Sequence, residues 1–204
     1  KMVEKLITVD QKKKIFHLHN SKISYLLSVE DGGTLCHLYF GKRVNDYHGQ
    51  LRYPRVDRGF SGNLPGSLER RFSRDTLPKE YSTAGEMDYH TPAAIVRQKD
   101  GSNALFLTYK DYQIVDGKPD LKGLPHAWVK NNSEAQTLIV TLEDKKTGLL
   151  FDLLYTIYRD RAVITRSVKV RNEGKEPVKL EKVASMQIDF VGRDFETITL
   201  PGAH

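Results

Sequence analysis

Long apolar runs are missing from this chain, and so is any stretch with sustained helical periodicity. No segment approaches the ~20 apolar residues that a transmembrane helix needs, so we expect no membrane partner. The N-terminal stretch KMVEKLITVDQKKK is charged and lacks the apolar centre of a signal peptide. These absences predict a cytoplasmic protein.

Cysteine is almost absent, because Cys36 is the single cysteine among 204 residues. One thiol excludes an internal disulfide and fits a reducing compartment. His37 follows directly, but neighbours on a strand point to opposite faces, so the two cannot act together as nucleophile and base. We therefore predict that Cys36 is a buried structural residue.

Extended blocks of one charge are also missing. The 32 Lys and Arg against 26 Asp and Glu give a formal net charge of +6, yet only residues 12–14 form a tight basic cluster. Interleaved signs are typical of a solvated surface. Aromatic residues are not interleaved with Lys and Arg in the pattern that base stacking needs. We predict no nucleic-acid partner.

Short apolar runs separated by Gly, Asn and Asp turns dominate the sequence. The predicted strands are residues 15–19, 23–29, 34–40, 93–96, 103–115, 135–144, 148–158, 162–172 and 178–190. Regular spacing of short strands favours an all-β fold, a large antiparallel β-sandwich. Only residues 67–74 could form one or two helical turns, with Ser67 as N-cap. We predict one β-sandwich domain over residues 1–204, truncated at its C-terminal end because TITLPGAH reads as a strand without a closing turn.

His17 and His19 lie two residues apart, which places them on one face of a strand. Two histidines can begin a metal site, but no local spacing supplies a third ligand. We predict that both lie on the solvated face of an edge strand, and that the protein uses no metal and no other cofactor.

Carboxylates are concentrated in the region before residue 94. They are Asp57, Glu69, Asp75, Glu80, Glu86 and Asp88. A glycosidase needs two carboxylates facing a sugar, and these six could supply such a pair. Alternatively, each caps a turn or pairs with a nearby arginine of the same region, among residues 55, 58, 70, 71 and 74. The mixture of Asp, Arg, Tyr and Phe favours a sugar-binding surface, since aromatic rings cover the apolar face of a pyranose.

Several segments together resemble one known family. They are YFGKRVND (39–46), YPRVDRGFSGN (53–63), RRFSRDTLPKEYSTAGEMDYHTPA (70–93), KGLPHAWV (122–129), VITRSVKVRNEG (163–174) and SMQIDF (185–190). In this order they resemble the N-terminal domain of the family 36 glycoside hydrolases, the bacterial α-galactosidases. In that family a supersandwich-like β domain precedes a catalytic (β/α)₈ barrel and a small C-terminal β domain.

The resemblance implies a retaining hydrolase that removes terminal α-galactose from melibiose, raffinose and stachyose. The family's two catalytic aspartates lie in the barrel, one in a K-W-D-type motif that this sequence does not contain. We therefore expect no catalytic residue in this chain, and none of the six carboxylates is assigned that role.

The family also implies a role for the loop. Its members assemble as homotetramers, and loops of the N-terminal domain reach the active site of a neighbouring subunit. By motif, Asp57 and Arg70 are expected to bind hydroxyl groups of an α-galactoside oligosaccharide, with Phe60 and Tyr81 as supporting aromatic residues.

Three hypotheses follow for the chain. It is the non-catalytic N-terminal domain of an α-galactosidase, a stand-alone carbohydrate-binding β-sandwich module, or a basic nucleic-acid-binding β domain. A continuation containing a barrel with a K-W-D-type motif would distinguish the first from the second.

Overall fold

Ten strands and three single-turn 3₁₀ segments make up the fold in the part of the chain that the structure describes. The computed structural model describes residues 5–47, 63–64, 66–71, 73–86, 88–123, 125–189 and 194–202. The strands are β1 Ile7–Asp10, β2 Ile15–His19, β3 Ile23–Glu30, β4 Thr34–Lys42, β5 Ala94–Arg97, β6 Thr108–Asp116, β7 Ala135–Asp144, β8 Leu149–Tyr158, β9 Ile164–Asn172 and β10 Lys179–Val183. Among the described residues, no helix is long and apolar enough to cross a membrane.

The strands form two antiparallel sheets of four strands each. The first has the order β1-β2-β3-β4 and the second the order β6-β7-β8-β9, while β5 and β10 pair as a separate two-stranded ladder. Apolar side chains from both four-stranded sheets, such as Leu27 of β3 and Leu153 of β8, belong to one buried cluster. The rings of Tyr25 and Tyr155 meet across it with centroids 5.9 Å apart. This confirms the predicted all-β antiparallel sandwich.

Three local predictions were wrong. The charged N-terminal stretch contains a strand, β1, whose Ile7 pairs with Leu18 of β2. The predicted strand 178–190 ends at Val183 and pairs with β5, and described residues 194–202 contain no strand. Residues 66–71 are not helical; Ser67 accepts a hydrogen bond from the Glu69 amide at 3.1 Å, but the 3₁₀ turn begins only at Arg74.

The two histidines of β2 are buried, which corrects their predicted position on a solvated edge. β1 pairs with the other side of β2, so that strand is internal to the sheet and is not an edge. Both histidines are 8% exposed. His17 Nε2 lies 2.9 Å from Ser24 Oγ, and the two imidazole rings lie 4.6 Å apart. Burial, followed by the neighbouring His19 and Arg43, lowers the pKa of His17 to about 4.

A buried carboxylate joins the two sheets. Glu80 is fully buried and receives hydrogen bonds from the hydroxyls of Tyr25, on β3, at 2.7 Å and Tyr155, on β8, at 2.9 Å. His37 of β4 lies 2.9 Å from the carboxylate, and Arg166 of β9 forms an ion pair at 3.1 Å. Strands of both sheets therefore share one acceptor.

Neighbouring side chains compensate the negative charge of the buried Glu80. Burial would raise the pKa of Glu80, but Arg166, His37 and Tyr25 outweigh that effect and hold the pKa of the carboxyl below its ordinary value. The Arg166 guanidinium also lies 4.7 Å from the centre of the Tyr155 ring and donates to the Gln187 carbonyl at 2.9 Å. Both charged groups are satisfied by surrounding partners, which is the condition for a tolerable buried ion pair.

Removing one partner of this pair should strongly destabilise the fold. In Glu80→Ala, Arg166 stays buried without its counter-charge, and such a change typically costs about 3–5 kcal/mol. Glu181→Gln is the matched control, because Glu181 pairs with Arg97 through two contacts of 2.7 and 3.1 Å on the surface. Urea unfolding should show a large drop in midpoint for the first variant and little change for the second. Equal shifts would contradict the assigned role of Glu80.

The fold should lose stability between pH 6.5 and pH 4 because of His17. The unfolded chain protonates this imidazole near its ordinary pKa of about 6.5, whereas the folded chain does so only near 4. The unfolded state therefore binds more protons in this window, and stability falls by up to roughly 3 kcal/mol as the pH drops. Urea midpoints at several pH values should fall less steeply for His17→Gln than for the unsubstituted protein. His126→Gln serves as control, and an unchanged slope in His17→Gln would exclude this source of acid sensitivity.

Candidate functional site: the loop between β4 and β5

The connecting loop, residues 43–93, separates β4 from β5 and contains most of the charged and aromatic residues singled out in the sequence. Asp57 and Phe60 lie outside the described residues. Arg70 and Tyr81 are described, and they lie in different environments: Arg70 is exposed, whereas Tyr81 is only 4% exposed.

The second half of the loop is attached to strands by its backbone. The His37 amide donates to the Pro78 carbonyl at 2.7 Å, and the Glu80 amide donates to the Leu35 carbonyl at 3.0 Å. Further along, the Ala84 amide donates to the carbonyl of Ala94, the first residue of β5, at 3.1 Å. The segment around Glu80 thus extends the β4 edge of the first sheet and then reaches β5.

A buried lysine neutralises two loop carboxylates. Lys79 is 2% exposed, and its ammonium group contacts both Glu86 and Asp88. His90 lies 3.4 Å from Asp88 and 3.4 Å from Asp189. We call these five residues the Lys79 cluster. The cluster joins the loop to the segment that follows β10.

Two members of the Lys79 cluster, Asp88 and His90, are held in their charged forms. Burial would raise the pKa of Asp88, but the hydrogen bonds from His90 and Lys79 outweigh it and lower that pKa to about 2. Hydrogen bonds to Asp189 and Asp88 raise the pKa of His90 to about 9. Asp88 and His90 are therefore both charged across the neutral range.

A tight turn follows Lys79 and requires glycine. Gly85 has φ of +87°, and a Cβ atom there would lie 2.6 Å from the Ala104 Cα. Beside it, the Thr83 hydroxyl contacts Glu86 at 2.7 Å and the Leu105 carbonyl at 2.5 Å. Side chain and backbone together fix this turn against the segment that precedes β6.

The segment after β10 supports the same part of the loop. The Ser82 amide and hydroxyl both donate to Gln187 Oε1 at 2.7 Å. The Tyr81 hydroxyl donates to the Ala184 carbonyl at 3.0 Å, and its ring lies 5.9 Å from that of Phe151. Tyr81 therefore packs in the core and presents no open ring face to solvent.

The described part of the loop divides into a fixed root and an exposed limb. The loop root comprises the described residues of 73–93, which carry the contacts above. The loop limb, residues 66–71, is exposed throughout and carries Arg70. Its Glu69 pairs with Arg71 at 3.2 Å. A fixed root supporting a solvent-facing limb is an arrangement that can present side chains to a ligand or to another protein surface.

The described loop carboxylates only partly follow the alternative in which each caps a turn or pairs with a loop arginine. Glu69 does pair with Arg71, but Glu80 pairs with Arg166, and Glu86 and Asp88 contact Lys79. Asp75 contacts the Ser73 hydroxyl. Most of these partners are therefore residues other than the loop arginines. In the part of the chain that is described, no group of three or more His, Cys, Asp or Glu residues could hold a metal ion.

The residues that sequence reasoning missed are Arg166 and Lys79. Arg166 lies on the same face of β9 as Ile164 and Val168, which pack against the core, so an arginine on the apolar side of β9 was the available signal. Lys79 carried no comparable signal, since its neighbours in the sequence do not reveal that it is buried.

Cys36 is fully buried, as predicted. Burial, followed by the nearby Glu30, raises the pKa of its thiol well above the ordinary value. Lys79 of the loop root pairs with Cys36 through an isolated β-bridge, and the Cys36 side chain packs with Leu77 and Leu64.

Comparison with known proteins gives one consistent result. The profile of the glycosyl hydrolase family 36 N-terminal domain matches residues 33–204. The chain is 72% identical to the α-galactosidase Mel36A of Lactobacillus acidophilus, over 100% of this chain and 28% of that protein. It is 68% identical to α-galactosidase 1 of Pediococcus pentosaceus, over 98% of this chain and 27% of that protein.

Solved structures show the same likeness. The crystal structure of the α-galactosidase AgaB from Geobacillus stearothermophilus superposes with a TM-score of 0.83 at 42% identity, covering 90% of this chain and 25% of that one. A variant of AgaA from the same organism, solved with raffinose, gives a TM-score of 0.82 at 43% identity over 87% of this chain and 25% of that one. The chain thus spans about a quarter of the length of these relatives, and it belongs to the N-terminal domain family of the family 36 glycoside hydrolases.

Proposed function

We propose that the full-length protein is a retaining α-galactosidase acting on terminal α-galactosides of the melibiose and raffinose type. The observation that carries this proposal is the family match over residues 33–204. In this proposal the 204 residues are the N-terminal β-sandwich domain of the longer chain and contain no catalytic residue. The proposed location is the cytoplasm, which suits a protein with a single, reduced thiol.

The loop limb is the part of this domain that we assign to substrate. We propose a homotetramer in which Asp57 and Arg70 bind sugar hydroxyls in the active site of a neighbouring subunit. The exposure of Arg70 on the loop limb supports this, because an exposed residue is accessible to a ligand. Charge-assisted hydrogen bonds from such groups to hydroxyls are strong and directional.

The two aromatic residues have different proposed roles. Phe60 supplies a ring surface near Asp57 in the sequence. Tyr81 acts at a distance from the sugar, because its buried ring and its bond to the Ala184 carbonyl hold the loop root. The loop root in turn fixes the direction in which the loop limb leaves the sandwich.

The catalytic assignment can be tested by comparing two lengths of the protein. The full-length protein should hydrolyse an aryl α-galactoside, while the 204-residue chain alone should show no turnover. The reason is that two carboxylates must flank the glycosidic bond, and in this proposal both lie beyond residue 204. Turnover by the purified short chain, or none by the full-length protein, would contradict the proposal.

Alanine at Asp57 or Arg70 should weaken substrate use by the full-length protein. A lost charged hydrogen bond is worth about 1.5–3 kcal/mol, which corresponds to roughly 10- to 100-fold in kcat/KM. The effect should appear mainly in KM, because the chemistry lies in the barrel. Arg71→Ala is the matched control, since Arg71 is the next residue on the loop limb and pairs with Glu69.

Oligomer size measured by light scattering completes that test. The two variants should keep the oligomeric state of the unsubstituted protein, because the proposed contacts are with sugar. Unchanged kinetics in both would assign the loop a structural role only. Dissociated subunits would identify it as an assembly element.

A further inference from the structure

A solvent-exposed tryptophan lies in a cavity outside the connecting loop. Trp128, the one tryptophan of the sequence, is 66% exposed and lies on the segment between β6 and β7. It lines a cavity of about 340 Å³ together with His126, Ala127, Lys130, Glu134 and Arg161. Volumes of about 300–1,000 Å³ are typical of small-molecule sites.

The walls of this cavity are held by hydrogen bonds that do not involve Trp128. Glu134 belongs to a single 3₁₀ turn, in which its carboxylate accepts from the Asn131 amide at 3.1 Å. The Glu134 carbonyl accepts from the Arg159 amide at 2.8 Å. These two hydrogen bonds of Glu134 fix the cavity wall that directly precedes β7 in the sequence.

The opposite wall is the turn between β8 and β9. There the Arg161 carbonyl accepts a hydrogen bond from Asn20 Nδ2 at 2.7 Å, and the Asp160 carbonyl accepts from Lys22 Nζ at 3.0 Å. Both walls are therefore anchored to the sandwich, and the exposed indole lies in a surface whose shape is largely preformed.

The chemistry of the cavity suits a neutral sugar. An indole face packs against the apolar C–H face of a pyranose, and galactose offers such a face because its axial 4-hydroxyl points to the other side. Guanidinium, ammonium and carboxylate groups at the rim can bind the remaining hydroxyls.

We propose that Trp128 is the platform of a second saccharide-binding site, which takes one galactosyl unit of an α-galactoside. The choice of galactose rests on the proposed function, whereas binding of a pyranose rests on the cavity itself. None of the described residues that line the cavity belongs to the connecting loop, so the two sites can be altered independently.

The test uses the full-length protein in native gels containing soluble galactomannan, run at 4 °C to limit turnover. The unsubstituted protein should be retarded, and Trp128→Ala should weaken the apparent affinity by roughly 10-fold, about 1.4 kcal/mol. Trp128→Phe should retain part of the retardation, because it keeps an aromatic face. Phe195→Ala is the control, since Phe195 is an aromatic residue of similar exposure, 63%.

Two further readouts separate this proposal from the others. Hydrolysis of an aryl α-galactoside should be unchanged in Trp128→Ala, and so should oligomer size by light scattering. Loss of retardation in a protein without hydrolytic activity would support the site while contradicting the proposed function. No retardation of the unsubstituted protein, equal retardation of Trp128→Ala, or a changed oligomer size in that variant would each overturn the proposal.

Discussion

One buried carboxylate connects the parts of this domain. Glu80 accepts from side chains of β3 and β8 and contacts side chains of β4 and β9, so both four-stranded sheets converge on it. Removing a carboxylate from water is expensive, and the cost is offset only when its lone pairs are satisfied and an opposite charge lies close by. Arg166 supplies that charge. The sandwich therefore depends on a residue that belongs to a loop and not to a strand.

This dependence explains the composition of the loop. Residues on either side of Glu80 complete the edge of the first sheet and reach β5. The Lys79 cluster adds a second set of buried charges, which joins the loop root to the segment after β10. Many of the charged side chains that distinguish the loop in the sequence are thus buried and paired inside the protein. Among the loop residues that the structure describes, all those of the loop limb, which include Arg70, are exposed.

The strand pattern was predictable because period-two alternation and turn residues are local signals. The predicted limits of β2 and β7 are those observed. Strand β1 was missed because its short apolar pattern lies among charges, and its presence makes β2 an internal strand. A shift of register between Leu180 and Lys182 accompanies the short β10.

The site was less predictable than the fold because its contacts are long-range. Glu80 and Arg166 are 86 positions apart, and the residues next to Glu80 in the sequence do not indicate that it pairs with Arg166. From the sequence, the loop carboxylates can be interpreted as surface charges or as a catalytic pair, since sequence alone does not show which side chains are buried. Trp128 belonged to a recognised family segment, but its exposure depends on how two distant turns meet around it.

Hydrogen exchange in Arg166→Met tests most directly whether the buried ion pair fixes the loop. The informative amides are those of His37 and Glu80, which bond across the contact between β4 and the loop root. The account predicts that both exchange much faster in the variant, while amides in the centre of the β7–β8 pairing change less. Unchanged exchange at His37 and Glu80, or an equal increase throughout the domain, would contradict it.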